Sequence, residues 1–299
     1  MRWIVVQTGD RRAHLFIGQG EEPTDVTSGH IRQEVLRRGA AAAQGVIHTA
    51  FYHEITHMWL GTLLRVLLGG SPTGIVTRFL TAALGADRRA LETLGQSLRG
   101  AERPLVATFA TFSMTPGKVA TEDDGVDTNS PGAARGSTET TMRILASQGV
   151  RTSIIRLPPV VHGESDRNGF VPQLIKIARK KGESAYVGDG LNRWPAVHKL
   201  DAAHLFRLAL EKGPAGAAYH GVAEEGVPFG EIAKAIGERL KVPVASKSPA
   251  EAAKQFSFLG PFVPVDNPTS SKLTQERLGW RPTQPGIFAD LDQADYFKA

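Results

Sequence analysis

Between Ile154 and Asp201 the chain reads IIRLPPVVHGESDRNGFVPQLIKIARKKGESAYVGDGLNRWPAVHKLD, and no other stretch limits the fold as sharply. A β-branched strand runs up to Arg156, and Pro158-Pro159 must interrupt it because proline lacks the N–H that a sheet ladder uses. Val160-Val161-His162-Gly163 follows, then an amphipathic helix ending on Arg179-Lys180-Lys181, where cations suit the helix dipole. A Gly188-Asp189-Gly190 turn then leads into an apolar run that closes on Asp201. Trp3–Val6, Gly45–Phe51, Pro104–Phe112 and Thr152–Leu157 read as short apolar strands. Helical spacing covers Ile31–Ala43, Ala86–Leu98 and Thr138–Ser147, and later Phe229–Leu240 through Ile232, Ile236 and Leu240. Residues 10–30 and 116–134 read as irregular. This alternation predicts an α/β chain with a mainly parallel sheet and helices on both faces.

Bulk properties remove several classes of function. A chain of 299 residues suits one large α/β domain, or one domain with a smaller lobe. Without cysteine it has no disulfide, thiolate metal site or cysteine nucleophile. The net charge of +5 is scattered, with no basic stripe interleaved with aromatics, so nucleic-acid binding is not expected. Met1–Gly9 has no signal-peptide pattern. The apolar region Met58–Leu84 is broken by Arg65, Gly69-Gly70, Pro72 and Arg78, so no membrane partner is expected. The expected setting is the cytoplasm.

Several segments, in order, resemble the extended short-chain dehydrogenase/reductases, the NAD-dependent epimerase/dehydratase family. They are Arg156-Leu157-Pro158-Pro159, Val161-His162-Gly163, Gly188–Gly190, Trp194–Val197, Asp201, Tyr219-His220-Gly221-Val222 and Leu278-Gly279-Trp280-Arg281-Pro282. The likeness spans residues 86–299 well and 32–51 moderately. It implies a Rossmann-like, doubly wound parallel sheet over residues 1–163. A small substrate lobe over residues 164–299 would follow, with some chain returning to the sheet. The cofactor would be NAD or NADP, held by Gly9, Gly18, Ala50, Phe51, Thr108, Pro158 and Val161, with His162 and Trp194 on the substrate side. The reaction would be oxidoreduction or epimerisation of a small carbonyl or alcohol, and a homodimer stays open.

The chain departs from that pattern in two places. A dinucleotide turn needs closely spaced glycines for the turn and for approach to the pyrophosphate. Here six residues, Asp10–Leu15, stand where about three are expected between Thr8-Gly9 and Phe16-Ile17-Gly18. Too few residues then separate Gly18 from the Ile31 helix to complete the first βαβ units. Residues 58–82 have no counterpart in the family and read as an atypical insertion. The second departure is catalytic. In this family a tyrosine is the acid/base and a lysine four residues later lowers its pKa. None of the four tyrosines, Tyr52, Tyr186, Tyr219 and Tyr296, has that lysine. Arg135 and Glu139 stand near the motif's place, and an arginine does not deliver protons near neutrality. Thr108 and Thr111 are the hydroxyls left on the neighbouring strand, with Thr111 the candidate catalytic group. A catalytically inert protein is the alternative.

A third reading comes from His53-Glu54-Ile55-Thr56-His57, which matches the zinc-hydrolase sequence His-Glu-x-x-His and resembles the gluzincin aminopeptidases through Trp59 and Gly61. Those enzymes take a third ligand from a later glutamate, and none occurs between Glu54 and Glu92. A metal is therefore not expected. His48 is assigned to the exit of its strand.

Overall fold

The computed structural model describes residues 3–9, 12–18, 24–25, 33–51, 58, 60–71, 74–293 and 295–297. The strands in chain order are β1 (Trp3–Gly9), β2 (Arg12–Gly18), β3 (Thr24–Asp25), β4 (Gly45–His48), β5 (Pro104–Ala110) and β6 (Arg151–Leu157). They continue as β7 (Val160–His162), β8 (Ser184–Val187), β9 (Arg193–His198), β10 (Ala217–His220), β11 (Glu224–Pro228) and β12 (Val244–Lys247). Helices α1 (Gln33–Ala42), α2 (Leu60–Leu68), α3 (Ile75–Leu98), α4 (Ala133–Gly136) and α5 (Glu139–Ser147) belong to the first half. The second half has α6 (Phe170–Lys181), α7 (Lys199–Lys212), α8 (Phe229–Leu240), α9 (Pro249–Phe256), α10 (Lys272–Leu278) and α11 (Ile287–Gln293).

A seven-stranded sheet runs β10-β6-β5-β4-β1-β2-β3. β4 lies parallel to β1 (Val6 opposite His48) and to β5 (His48 opposite Ala107), as the alternating pattern predicts. The chain divides into two compact units. The first comprises Met1–Thr108, Ser137–Ile154 and Leu208–Ala217. The second comprises Phe109–Gly136, Ile155–Arg207 and Ala218–Ala299.

In the first unit, the segment expected to be irregular after Gly9 contains a strand. β2 folds back on β1 in antiparallel register, with Trp3 opposite Gly18 and Gly9 opposite Arg12. Its Ala-His-Leu-Phe-Ile run carries strand propensity that the surrounding polar residues mask. α3 begins at Ile75, earlier than the helix expected from Ala86. The described residues of the expected insertion, 58–82, thus include α2 and the first turns of α3. Val66, Met58 and Ala83 are buried there, while Leu60, Leu64, Leu67 and Leu68 are exposed. Farther along α3, Leu91, Leu94 and Leu98 are fully buried, the one-sided pattern of an amphipathic helix. Arg103 donates to the carbonyls of Ala40 and Ala43 at 2.8 Å and of Ser97 at 2.6 Å, tying the C-terminal ends of α1 and α3 together.

The second unit has a sheet ordered β11-β9-β7 and a parallel pair β12-β8. β7 is parallel to β9, and β11 is antiparallel to β9. Its core gathers Trp194, Phe112, Phe229, Phe256 and the inner face of α6, Val171, Leu174, Ile175 and Ala178. Gly190 holds φ of 72°, and a Cβ on it would lie 2.9 Å from Gly230 Cα, so the turn between β8 and β9 requires glycine there. Among the described residues, no helix is long and apolar enough to cross a membrane.

Candidate functional site

The residues expected to line a cofactor site fall in both units. In the first, β1 and β4 are parallel neighbours, and the chain leaves β4 through Thr49-Ala50-Phe51. The Thr49 amide donates to the Val6 carbonyl at 2.9 Å, extending the ladder past the last strand residue. Ala50 is buried, and Phe51 packs on the cluster of Met58, Val66 and Ala83. Thr108 lies half-buried on β5.

His48 and Asp87 form a buried pair, Nε2 to Oδ1 at 2.9 Å, beneath this exit. Asp87 sits on the helix expected over Ala86–Leu98, but its tie to His48 has no local sequence signal. Gly9 and Gly18 do not share a turn. They close opposite ends of the β1–β2 hairpin, six residue steps apart, or about 20 Å of strand. The family's paired-glycine loop, which the sequence already shows interrupted by Asp10–Leu15, gives way here to antiparallel pairing.

In the second unit Thr111 is fully buried. Its hydroxyl donates to Asn267 Oδ1 at 2.6 Å, and Asn267 Nδ2 donates back to the Thr111 carbonyl at 3.0 Å. This engages the only hydroxyl proton Thr111 has, so the residue predicted as catalytic is held as a structural clasp. Pro158 is buried in the turn between β6 and β7, and Val161 lies opposite Val197.

His162 and Trp194, expected on the substrate side, are both enclosed by protein. His162 is 1% exposed, and its Nδ1 meets Asp290 Oδ2 at 3.0 Å. Its ring lies edge-on to His198, which burial first and then the neighbouring His162 push below the usual histidine range. Trp194 is fully buried against Phe112, Phe170 and Phe229, with no acceptor for its indole N–H among the described residues. Both lie on short strands of a sheet covered on two sides, which alternation alone does not distinguish from a cavity wall.

Arg156 anchors a second buried network. His220 Nδ1 lies 2.8 Å from the Ser270 carbonyl, which only accepts, so the proton is on Nδ1 and Nε2 accepts from Arg156 at 3.2 Å. Burial first, then the Arg156 charge, hold the His220 pKa down to about 3. Thr274 Oγ accepts the His220 amide at 2.8 Å and donates to Glu122 Oε1 at 2.6 Å. The late motif residues also meet. Trp280 Nε1 donates to the Asp201 carbonyl, and the Asp201 carboxylate accepts the amides of Thr283 and Gln284, each at 3.0 Å.

The pair His53 and His57, with Glu54, lies outside the described residues. Among the described residues no cluster of three or more His, Asp or Glu is placed to hold a metal.

No family model matches the chain. It is 48% identical over 265 residues to an uncharacterized protein of Schizosaccharomyces pombe, covering 88% of this chain and 81% of that protein. It is 41% identical over 263 residues to an uncharacterized protein of Saccharomyces cerevisiae, covering 88% and 80%. Among solved structures it is similar to a dTDP-glucose 4,6-dehydratase of Streptomyces venezuelae with NAD and TYD bound. There the TM-score is 0.65 at 16% identity, covering 87% of this chain and 76% of that one. A UDP-glucose 4-epimerase of Thermotoga maritima with UDP-glucose gives a TM-score of 0.64 at 18% identity, covering 89% and 81%. These neighbours share the fold of this chain.

Proposed function

The chain belongs to one family with these two yeast proteins, and we propose that it is an NAD(P)-binding protein of the epimerase/dehydratase type, acting on a small carbonyl or alcohol. One observation carries this reading. The strand order reverses at β1, and the C-terminal ends of β1 and β4 stand side by side, with Thr49-Ala50-Phe51 continuing from β4. Open α/β sheets bind ligands at that switch point. Neighbours of the same fold that were solved with NAD add weight to the choice of ligand.

The fit to a dinucleotide is uneven along its length. At the nicotinamide end the β4 exit supplies backbone and the small side chain of Ala50. At the pyrophosphate end β1 runs into a hairpin, and among the described residues no helix N-terminus directly follows it to receive the phosphates. In this reading the nicotinamide end of the cofactor carries most of its binding, and affinity is low. When bound, the cofactor would supply or accept hydride. The chain's own part is to orient it at the strand ends, without the tyrosine–lysine pair of the wider family.

The hairpin also favours a second reading, a catalytically inert relative. Titration of NADH and NADPH by fluorescence separates the two. Saturable binding in the range of roughly 10–500 μM supports the proposal, and no binding up to about 2 mM overturns it.

A further inference from the structure

The second unit contains a cavity of about 360 Å³ that includes none of the residues assigned to the cofactor. Pro172, Ile175, Lys176 and Arg179 face it from α6, at the spacing that puts residues on one side of a helix. Arg167 adds a third cation from the preceding loop. Lys176 Nζ donates to the Arg167 carbonyl at 3.1 Å, and Arg179 donates to the Phe297 carbonyl. Neutral oxygens therefore position these heads. Among the described residues no carboxylate forms an ion pair with any of the three cations. Each keeps donors to spare, because an ammonium has three and a guanidinium five.

The other side of the cavity is built differently. Tyr296 clamps Gly163, accepting its amide at 2.9 Å and donating to its carbonyl at 3.2 Å. Asp166 Oδ1 accepts the amides of Gly169 at 2.9 Å and Asn168 at 3.3 Å, which fixes the carboxylate in place. Its Oδ2 is buried and receives no hydrogen bond among the described residues. A buried acceptor without a donor is costly, and a ligand hydroxyl would relieve it. Burial raises the Asp166 pKa, against the lowering pull of the Gly169 and Asn168 amides and of Tyr296.

We propose that this cavity binds a small polyol phosphate, with its phosphate on Lys176, Arg179 and Arg167 and a hydroxyl donating to Asp166 Oδ2. The volume lies near the lower end of small-ligand pockets, which favours a compact metabolite over a dinucleotide. The site is independent of the nicotinamide proposal and stands or falls separately from it.

Calorimetric titration of the full chain with glycerol 3-phosphate, ribose 5-phosphate and glucose 6-phosphate tests the assignment, with inorganic phosphate and glucose as controls. At least one ester is expected to bind about tenfold or more tighter than inorganic phosphate, with glucose weaker still. Lys176→Gln, an exposed change, is expected to weaken that ester about tenfold while leaving thermal stability unchanged. Asp166→Asn keeps an Oδ1 acceptor for the loop and is expected to erase the preference for the ester over phosphate. The proposal is overturned if no ester binds up to about 10 mM, if the esters bind no tighter than phosphate, or if Lys176→Gln binds like the wild type.

Discussion

Thr111 and Asn267, 156 positions apart in sequence, close a reciprocal pair inside the second unit: hydroxyl to amide oxygen at 2.6 Å, amide nitrogen to carbonyl at 3.0 Å. The pair pins the turn after β5 to the segment before α10 without exposing either group. A hydroxyl held this way cannot also be the proton donor of a reaction without first releasing Asn267.

Thr111→Val removes the hydroxyl but keeps the shape, leaving the Asn267 oxygen buried without its donor. The expected cost is about 1–3 kcal/mol in urea unfolding, and Thr111→Ser should recover most of it. In a double-mutant cycle Asn267→Leu should couple to Thr111→Val by roughly 0.5–3 kcal/mol. A Thr111→Val protein as stable as the wild type would remove the structural role argued for this hydroxyl.

His220 gives the molecule a defined sensitivity to acid. Its pKa is lowered in the folded state from 6.5 to about 3, so the unfolded chain binds the extra proton first. The associated stability is complete above pH 6.5 and is lost as pH falls toward 3. Between pH 6.5 and 4.5 the loss should reach about 2 kcal/mol from this residue. His220→Gln should start less stable at pH 7 and show a shallower decline, read from urea midpoints across that range. Equal slopes in the two proteins would rule the mechanism out.

Much of the second unit was legible in the sequence because its signals are local. The amphipathic spacing of Ile232 and Ile236, the Gly188–Gly190 turn and the basic end of α6 each act within a few residues. Asp201 and Trp280, quoted as separate motifs, meet through a hydrogen bond that neither motif specifies. Partnerships across the chain were not legible, since Asp87, Asn267 and Asp290 are ordinary polar residues until the fold brings them to His48, Thr111 and His162. The hairpin at Gly9 was hidden for another reason. A glycine after a short strand opens a phosphate loop or a return strand equally well, and the pairing partner decides.

Gly95 sets how closely α3 and α5 approach, since a Cβ there would lie 2.5 Å from both δ carbons of Leu145. Gly95→Ala should gain helix propensity yet lose about 1–3 kcal/mol through overpacking, with a lower thermal midpoint. Pairing it with Leu145→Ala should relieve the clash, so the double variant is expected to be more stable than the sum of the single changes. Strict additivity would mean the two helices adjust without strain.

Asp290 decides which ring nitrogen of His162 faces an acceptor. A carboxylate at 3.0 Å can only accept, so Nδ1 carries the proton and Nε2 faces Glu224 from 4.0 Å. Asp290→Ala strands that N–H in a site 1% exposed, and the expected loss is about 1–3 kcal/mol. Asp290→Asn should cost less, since its amide oxygen still accepts. Nitrogen chemical shifts of the imidazole provide the direct measurement: neutral His162 should show the Nδ1–H tautomer in the wild type and in Asp290→Asn, and a mixture in Asp290→Ala. An Nε2–H tautomer in the wild type would instead point the His162 proton toward Glu224 and reverse this assignment.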